Sequence, residues 1–195
     1  INNNFNKILS VEIKCFSYLP NWRSNKDYLK SHTAKKKLSG GIIYELSHEI
    51  NYALFLFGFP TSLISKTYTT NTIKIKDDCA IIIFNYVNKF NLKIELSISS
   101  KKEERTCSVF CNNNFIHFDL LKDKINVFSN GKSKNYNFYD DMYLNQTNEI
   151  IKSLKNNKFN KIENLKNSID SNRILEATVI SNKNNKKIIF NKKDS

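Results

Sequence analysis

Three side chains capable of proton chemistry, Glu45, His48 and Glu49, fall within the stretch Gly40–Asn51 (GGIIYELSHEIN). On a helix, Glu45 and His48 are three apart and Glu45 and Glu49 four apart, spacings that place all three on one side. A carboxylate beside an imidazole near buried ground is how a general base working close to neutral pH is made. Gly40 and Gly41, just before the helix, let a ligand or another chain segment approach its N-terminal end closely. The same polar stripe also suits a helix that turns it toward solvent or a partner domain, and spacing alone does not choose.

A second group sits upstream. Trp22 and Arg23 are adjacent in a polar loop with Tyr28 nearby, a set able to stack on and hydrogen-bond a sugar or a nucleotide diphosphate. Trp22 can equally anchor that loop onto the core. His32, in the same loop, has no partner pattern and reads as solvated. His117, between Ile116 and Phe118 in a strand, reads as surface or structural. Among Cys15, Cys79, Cys107 and Cys111, only Cys107 and Cys111 are close in sequence. No second pair or nearby His pair completes a zinc pattern, so no metal site is expected. On a strand Cys107 and Cys111 share a face, as buried small apolar groups would.

The elements that must position these groups follow from periodicity. Leu9–Tyr18 reads as a strand, and Ile42–Phe57 as one mostly buried helix with Ile43, Leu46, Ile50, Ala53, Leu54 and Phe57 facing inward. Gly58 and Pro60 stop that helix. Short strands follow at Thr61–Tyr68, Cys79–Tyr86, Asn91–Ser99, Arg105–Cys111, Phe115–Asp119 and Lys124–Phe128, joined by turns rich in Asn and Lys. Asp140–Lys155 and Ile162–Ile180 read as helices, the second starting at Glu163 or Asn164. Ser181–Ser195 reads as a polar tail that frays or ends in a short strand, Lys187–Phe190. This order predicts a single α+β domain over residues 1–195, a largely antiparallel open sheet with helices packed on one face.

Composition narrows the function classes. At 195 residues with 40% hydrophobic content, the chain can bury a sizeable core. The net charge of +13 invites a nucleic-acid reading. However, the positive charge is nearly all Lys, spread through every segment, and Arg is confined to Arg23, Arg105 and Arg173. Bidentate base or phosphate recognition favours Arg, so no specific nucleic-acid partner is expected. No apolar run approaches the ~20 residues of a bilayer span, and no signal peptide is visible. A reducing cytoplasm with free thiols is the expected setting. The chain starts at Ile1 rather than Met, as an excerpt of a longer product would.

Gly40–Gly58 (GGIIYELSHEINYALFLFG) resembles the conserved helix of the glucose–fructose oxidoreductase and inositol dehydrogenase family (Gfo/Idh/MocA). Tyr18–Tyr28 (YLPNWRSNKDY) and Lys35–Gly41 are similar to a sugar dehydrogenase branch of that family. So are Asp77–Ala80, Arg105, Asp141–Tyr143 and Arg173–Ser181. The resemblance implies His48 as proton acceptor for a sugar hydroxyl, with Glu45 orienting or assisting it. Two departures stand out. The family's His usually falls four after its acidic residue, where this chain has Glu49, and Asn51 replaces a frequent Asp. Glu49 therefore competes for the base position, and Asn51 is a candidate substrate contact beside Trp22, Arg23 and Tyr28.

The resemblance also implies NAD or NADP, bound mainly by an N-terminal Rossmann domain, since this chain contains no G-x-G-x-x-G loop and no cofactor-binding residue is expected in it. The implied partners are that domain, a sugar or nucleotide sugar, and further copies through the open sheet, with no membrane. The rival is a non-catalytic module, either a truncated remnant or a basic oligomerisation or binding surface.

Overall fold

The computed structural model describes residues 7–22, 27–35, 41–87, 89–129, 131–137, 141–155 and 165–191. Nine strands form one sheet: β1 (Ile8–Tyr18), β2 (Ser62–Tyr68), β3 (Cys79–Tyr86), β4 (Phe90–Ser97), β5 (Ser99–Cys111), β6 (Asn114–Asp119), β7 (Lys124–Ser129), β8 (Lys132–Asn137) and β9 (Ile188–Ile189). Among the described residues four α-helices accompany them: α1 (Ile42–Glu45), α2 (Ser47–Phe57), α3 (Met142–Lys155) and α4 (Leu165–Asn184). The sheet order is β8-β7-β6-β5-β1-β4-β3-β2-β9. Every pairing is antiparallel except β1 with β4, so the expected α+β class with a largely antiparallel open sheet is what forms.

β1 is the keystone of the order. It inserts between β4 and β5, pairing parallel to one and antiparallel to the other. A strand with neighbours on both sides has no exposed edge, and on its helix-facing side Val11, Ile13 and Cys15 are all buried. The opposing register places Ile13 against Cys107 and Cys15 against Arg105 on β5. Directly opposed residues point to the same face, so Cys15, Cys107 and Arg105 share the floor on which the helices rest.

That floor is apolar on the strands at the centre. Ile82, Phe84, Leu92, Ile94, Leu96 and Ile98 are fully buried and join Ile42, Leu46, Ile50 and Ile174 from the helical layer. The opposite face carries a mixed surface. Lys93 bridges Glu12 and Glu95, and Lys14 approaches Glu104, across the middle strands. Ile64, Ile83, Phe110 and Phe128 stand exposed to either side.

Three sequence expectations need correction. The helix expected over Ile42–Phe57 is not continuous: it breaks at Leu46, whose φ of −104° and ψ of 28° lie outside the helical range. α1 is therefore a single turn, entered through Gly41 at φ 127°, a conformation that favours glycine. β8 was not anticipated because Lys132–Asn137 is exposed at every position and carries a single aromatic, Tyr136, leaving no alternation to read. The last helix continues past Ile180 to Asn184. There the Ser181 hydroxyl accepts from the Ser65 backbone N–H at 3.0 Å and donates to the Lys186 carbonyl at 2.7 Å, which ties the expected tail to β2. The expected start of that helix at Glu163 or Asn164 lies outside the described residues.

Burial sets a pH limit on this packing. The Cys107 thiol is pushed up from 9.0 to about 12, first by burial and then by the negative charge of nearby Glu49. An unfolded thiol ionises near 9 while the folded one stays protonated to about 12, so the unfolded state loses its proton first. Cys107 thus contributes stability that is present below pH 9 and lost as pH rises toward 12. Unfolding midpoints in urea should fall across that window by at most ~1.4 kcal/mol per pH unit from this group. The fall should be shallower in Cys107→Ala, and an identical slope in the variant would exclude the thiol as its source.

Candidate active site

Glu49 is the unexpected feature of the site. α2 buries Glu49, Ile50 and Ala53 against the sheet, and with Leu46 these form the i, i+3, i+4, i+7 stripe of a core-facing helix. A carboxylate therefore occupies a core position, with 0% of Glu49 exposed. An unpaired charge there would cost several kcal/mol, roughly the effective desolvation penalty of an ion in a protein interior. Arg105 answers it from β5: its Nε donates to Glu49 Oε1 at 2.8 Å. His48 Nε2 lies 3.1 Å from the same oxygen, with its side chain 49% exposed.

Two more polar groups face this carboxylate from the core. The Cys15 thiol is pushed up to about 12, first by burial, then by the Glu49 charge, with Arg105 opposing. The Tyr52 hydroxyl is raised well above its usual range, first by burial and then by Cys107 and Glu49. Both lie close enough that hydrogen bonding to Glu49 adds to the rise, yet neither contact has full hydrogen-bond geometry: Glu49 Oε2 and the Tyr52 hydroxyl are both buried without such a partner among the described residues.

The break at Leu46 thus separates Glu45 from His48 and Glu49, and the expectation that all three share one side does not hold. Glu49 points into the core and His48 points outward beside it. Glu45, on the far side of the break, accepts a hydrogen bond from Thr33 Oγ1 at 2.9 Å. It lines a cavity of 660 Å³ together with Trp22, Tyr28, His32, Asp27 and Lys30. His32 is exposed, as expected, and stands at the edge of that cavity. Tyr28 begins a short 3-10 turn whose preceding Asp27 side chain accepts from the Leu29 N–H at 3.0 Å, and the Tyr28 hydroxyl accepts from the Lys74 N–H at 3.3 Å. Trp22 stands at the same cavity, 38% exposed. Arg23 and Gly40 lie outside the described residues.

His48 and Asn51 line a separate cavity of 310 Å³ between α2 and α4, with Asn167, Ser171 and Asn172 on its opposite wall. Asn51 accepts from Ser171 Oγ at 3.0 Å, so this candidate contact already has a partner on α4. His117 shares a 2.9 Å hydrogen bond with Ser108 across β5 and β6, as a structural histidine does. The structure therefore groups Trp22, Tyr28 and Glu45 in one cleft and His48 and Asn51 in another, with Glu49 buried beneath His48.

Sequence reasoning passed over Arg105 as a functional partner and ranked Glu49 only by its offset. The signal was present. Glu49 interrupts an apolar stripe, and a Lys-rich chain that places one of its three Arg residues in a strand marks a position where a planar, weakly hydrated cation is needed.

No helix among the described residues is long and apolar enough to cross a membrane. The family described as "Oxidoreductase family, C-terminal alpha/beta domain" matches residues 1–190. No curated protein sequence matches the chain. Among solved structures, levoglucosan dehydrogenase in complex with NADH and levoglucosan superposes with a TM-score of 0.75 at 13% identity, over 94% of this chain and 59% of that one. An inositol dehydrogenase homolog complexed with NAD+ from Azotobacter vinelandii gives 0.71 at 8% identity, over 94% and 58%. UDP-N-acetylglucosamine 3-dehydrogenase from Acidithiobacillus ferrooxidans gives 0.65 at 12% identity, over 91% and 53%. At these identities the likeness establishes a common fold, and the chain spans less than two thirds of each of these proteins.

The Glu49–Arg105 pair carries a stability prediction. Arg105→Ala leaves a buried carboxylate without its cation and should cost about 3 kcal/mol, at the low end for buried pairs because the Arg side chain is partly exposed. Adding Glu49→Gln to that variant should recover part of the loss, as urea denaturation at pH 7 would read. A loss below about 0.5 kcal/mol, the level of an exposed pair, would show that water already screens the carboxylate.

Proposed function

Because the chain belongs to the Gfo/Idh/MocA oxidoreductase family as its C-terminal α/β domain, we propose that it is the substrate-binding half of a nicotinamide-dependent dehydrogenase acting on a sugar or nucleotide sugar. The observation that carries this reading is His48, a half-exposed imidazole at a cleft, set against a buried carboxylate that Arg105 holds in place. Family membership and the sugar- and nicotinamide-bound relatives of the same fold support it.

In this mechanism the sugar hydroxyl gives its proton to His48 as its carbon gives up a hydride. Glu49, 3.1 Å from the imidazole, orients it for that transfer. The nicotinamide supplies the hydride acceptor, NAD or NADP. The residues of this chain do not fit its phosphates: its glycines are Gly40, Gly41, Gly58 and Gly131, and no two are spaced as a dinucleotide loop requires. We assign the cofactor to a separate Rossmann domain that closes over the helix side of this one. Trp22 and Tyr28 offer aromatic faces for a pyranose ring, and Asp27, Lys30 and Glu45 offer hydroxyl contacts. The open face, charged at its centre and apolar at its flanks, is the surface we assign to contact between copies.

A second assignment of the base rests on one observation. Glu45, and not His48, shares the cleft with Trp22 and Tyr28. The two are separated by kinetics in a polypeptide that includes the dinucleotide-binding domain, with levoglucosan, inositol and UDP-N-acetylglucosamine as the substrate panel. His48→Ala should lower kcat by about 10²–10⁴-fold, the range of a lost general base, while Trp22→Ala should mainly raise KM. An unchanged kcat in His48→Ala together with a collapse in Glu45→Gln would transfer the role to Glu45.

A further inference from the structure

His48 and the side chains packed beneath it include the donors of a metal site that no sequence spacing reveals. Cys15 comes from β1 and His48 and Glu49 from the start of α2, and one ligand atom from each lies within 4.8 Å of the others. These are a thiol, an imidazole nitrogen and a carboxylate oxygen, two of them buried and one open to the cleft. We propose that Cys15, His48 and Glu49 bind a single divalent ion of the zinc class, with the fourth coordination position turned toward the cleft between α2 and α4.

Two independent features point there. First, Glu49 Oε2 is wholly buried and has no hydrogen-bond partner among the described residues. Such an atom recovers only the imperfect contacts of the Tyr52 hydroxyl and the Cys15 thiol in place of its solvation, and a cation on it removes the deficit. Second, the donor set is selective. Thiolate and imidazole suit zinc, copper or cobalt, whereas magnesium and calcium demand oxygen. Three protein ligands with one open position is the pattern of an accessible zinc site rather than a closed structural one.

The geometry needs a small movement. Zinc bonds of about 2.0–2.3 Å imply ligand separations of roughly 3.3–3.7 Å in a tetrahedron. His48 Nε2 lies 3.1 Å from Glu49 Oε1, the oxygen that Arg105 also contacts, so the half-exposed ring must turn toward Oε2 to share an ion with the unpartnered oxygen. Binding releases one proton, from the Cys15 thiol, and the resulting thiolate and the Glu49 carboxylate match the two charges of the ion. Arg105 is the adverse group: its guanidinium sits 2.8 Å from the same carboxylate and repels the incoming cation. Partly exposed, it can swing toward solvent as the ion enters. A bound ion also takes the imidazole assigned above to the proton, so occupancy and turnover would exclude one another. The binding itself does not depend on that assignment.

Cobalt(II) titration of the protein is the test, because a cobalt–thiolate bond gives a charge-transfer band in the near ultraviolet. One equivalent should produce the band, release one proton, and be displaced by zinc but not by a large excess of magnesium. Cys15→Ser should abolish the band, Glu49→Gln should weaken binding at least tenfold, and Arg105→Gln should strengthen it. Circular dichroism on each variant separates lost ligands from lost folding. Absence of the band in wild-type protein overturns the proposal. So does unchanged cobalt affinity in Cys15→Ser, which would mean that exposed His48 alone collects metal.

Discussion

A single buried carboxylate organises this domain. Glu49 occupies a core position on α2, and the cost of stripping water from its charge is offset only if a cation and further polar groups converge on it. Arg105 supplies the cation from β5, directly across from Cys15 on β1. That requirement ties three elements distant in sequence to one point: the strand inserted at the middle of the sheet, the long strand beside it, and the helix that crosses both. The break at Leu46 belongs to the same solution. It lets α2 begin afresh with its own inward stripe, so that Glu49 meets the sheet while Glu45, one turn earlier, turns toward the Thr33 loop.

How much of this was legible in the sequence varied with the physics of each feature. The central strands announced themselves because Leu92, Ile94, Leu96 and Ile98 alternate and are buried. β8 could not be read, since a strand with no buried face has no pattern; its existence comes from pairing with β7. The parallel β1–β4 contact was equally silent, because nothing local records which later strand a first strand will join. In the site, residue types were readable and directions were not. A three- and four-residue spacing places side chains on one face only if the helix is continuous, and one residue outside helical dihedrals was enough to part Glu45 from His48 and Glu49, which remain adjacent on α2.

That divergence sharpens the functional account. Trp22, Tyr28 and Glu45 line the larger cavity, with hydroxyl-binding groups and aromatic faces suited to a sugar. His48 opens on a smaller cleft against α4. A Rossmann domain closing over the helix side would have to bring its cofactor near both. The strong positive charge needs no further role in this account, because its lysines are dispersed and two of those on the sheet, Lys14 and Lys93, are paired with Glu104 and with Glu12 and Glu95.

The claim at the centre is that this chain seats a sugar by itself, at the cavity beside Trp22. That residue is the chain's one tryptophan, so its fluorescence reports on this site alone. Titrating the chain with candidate sugars and nucleotide sugars, with no nicotinamide present, should produce a saturable change in Trp22 emission for at least one of them. If no sugar moves the emission while an oligonucleotide quenches it with a steep dependence on salt, the chain is a nucleic-acid-binding module and the dehydrogenase reading is wrong.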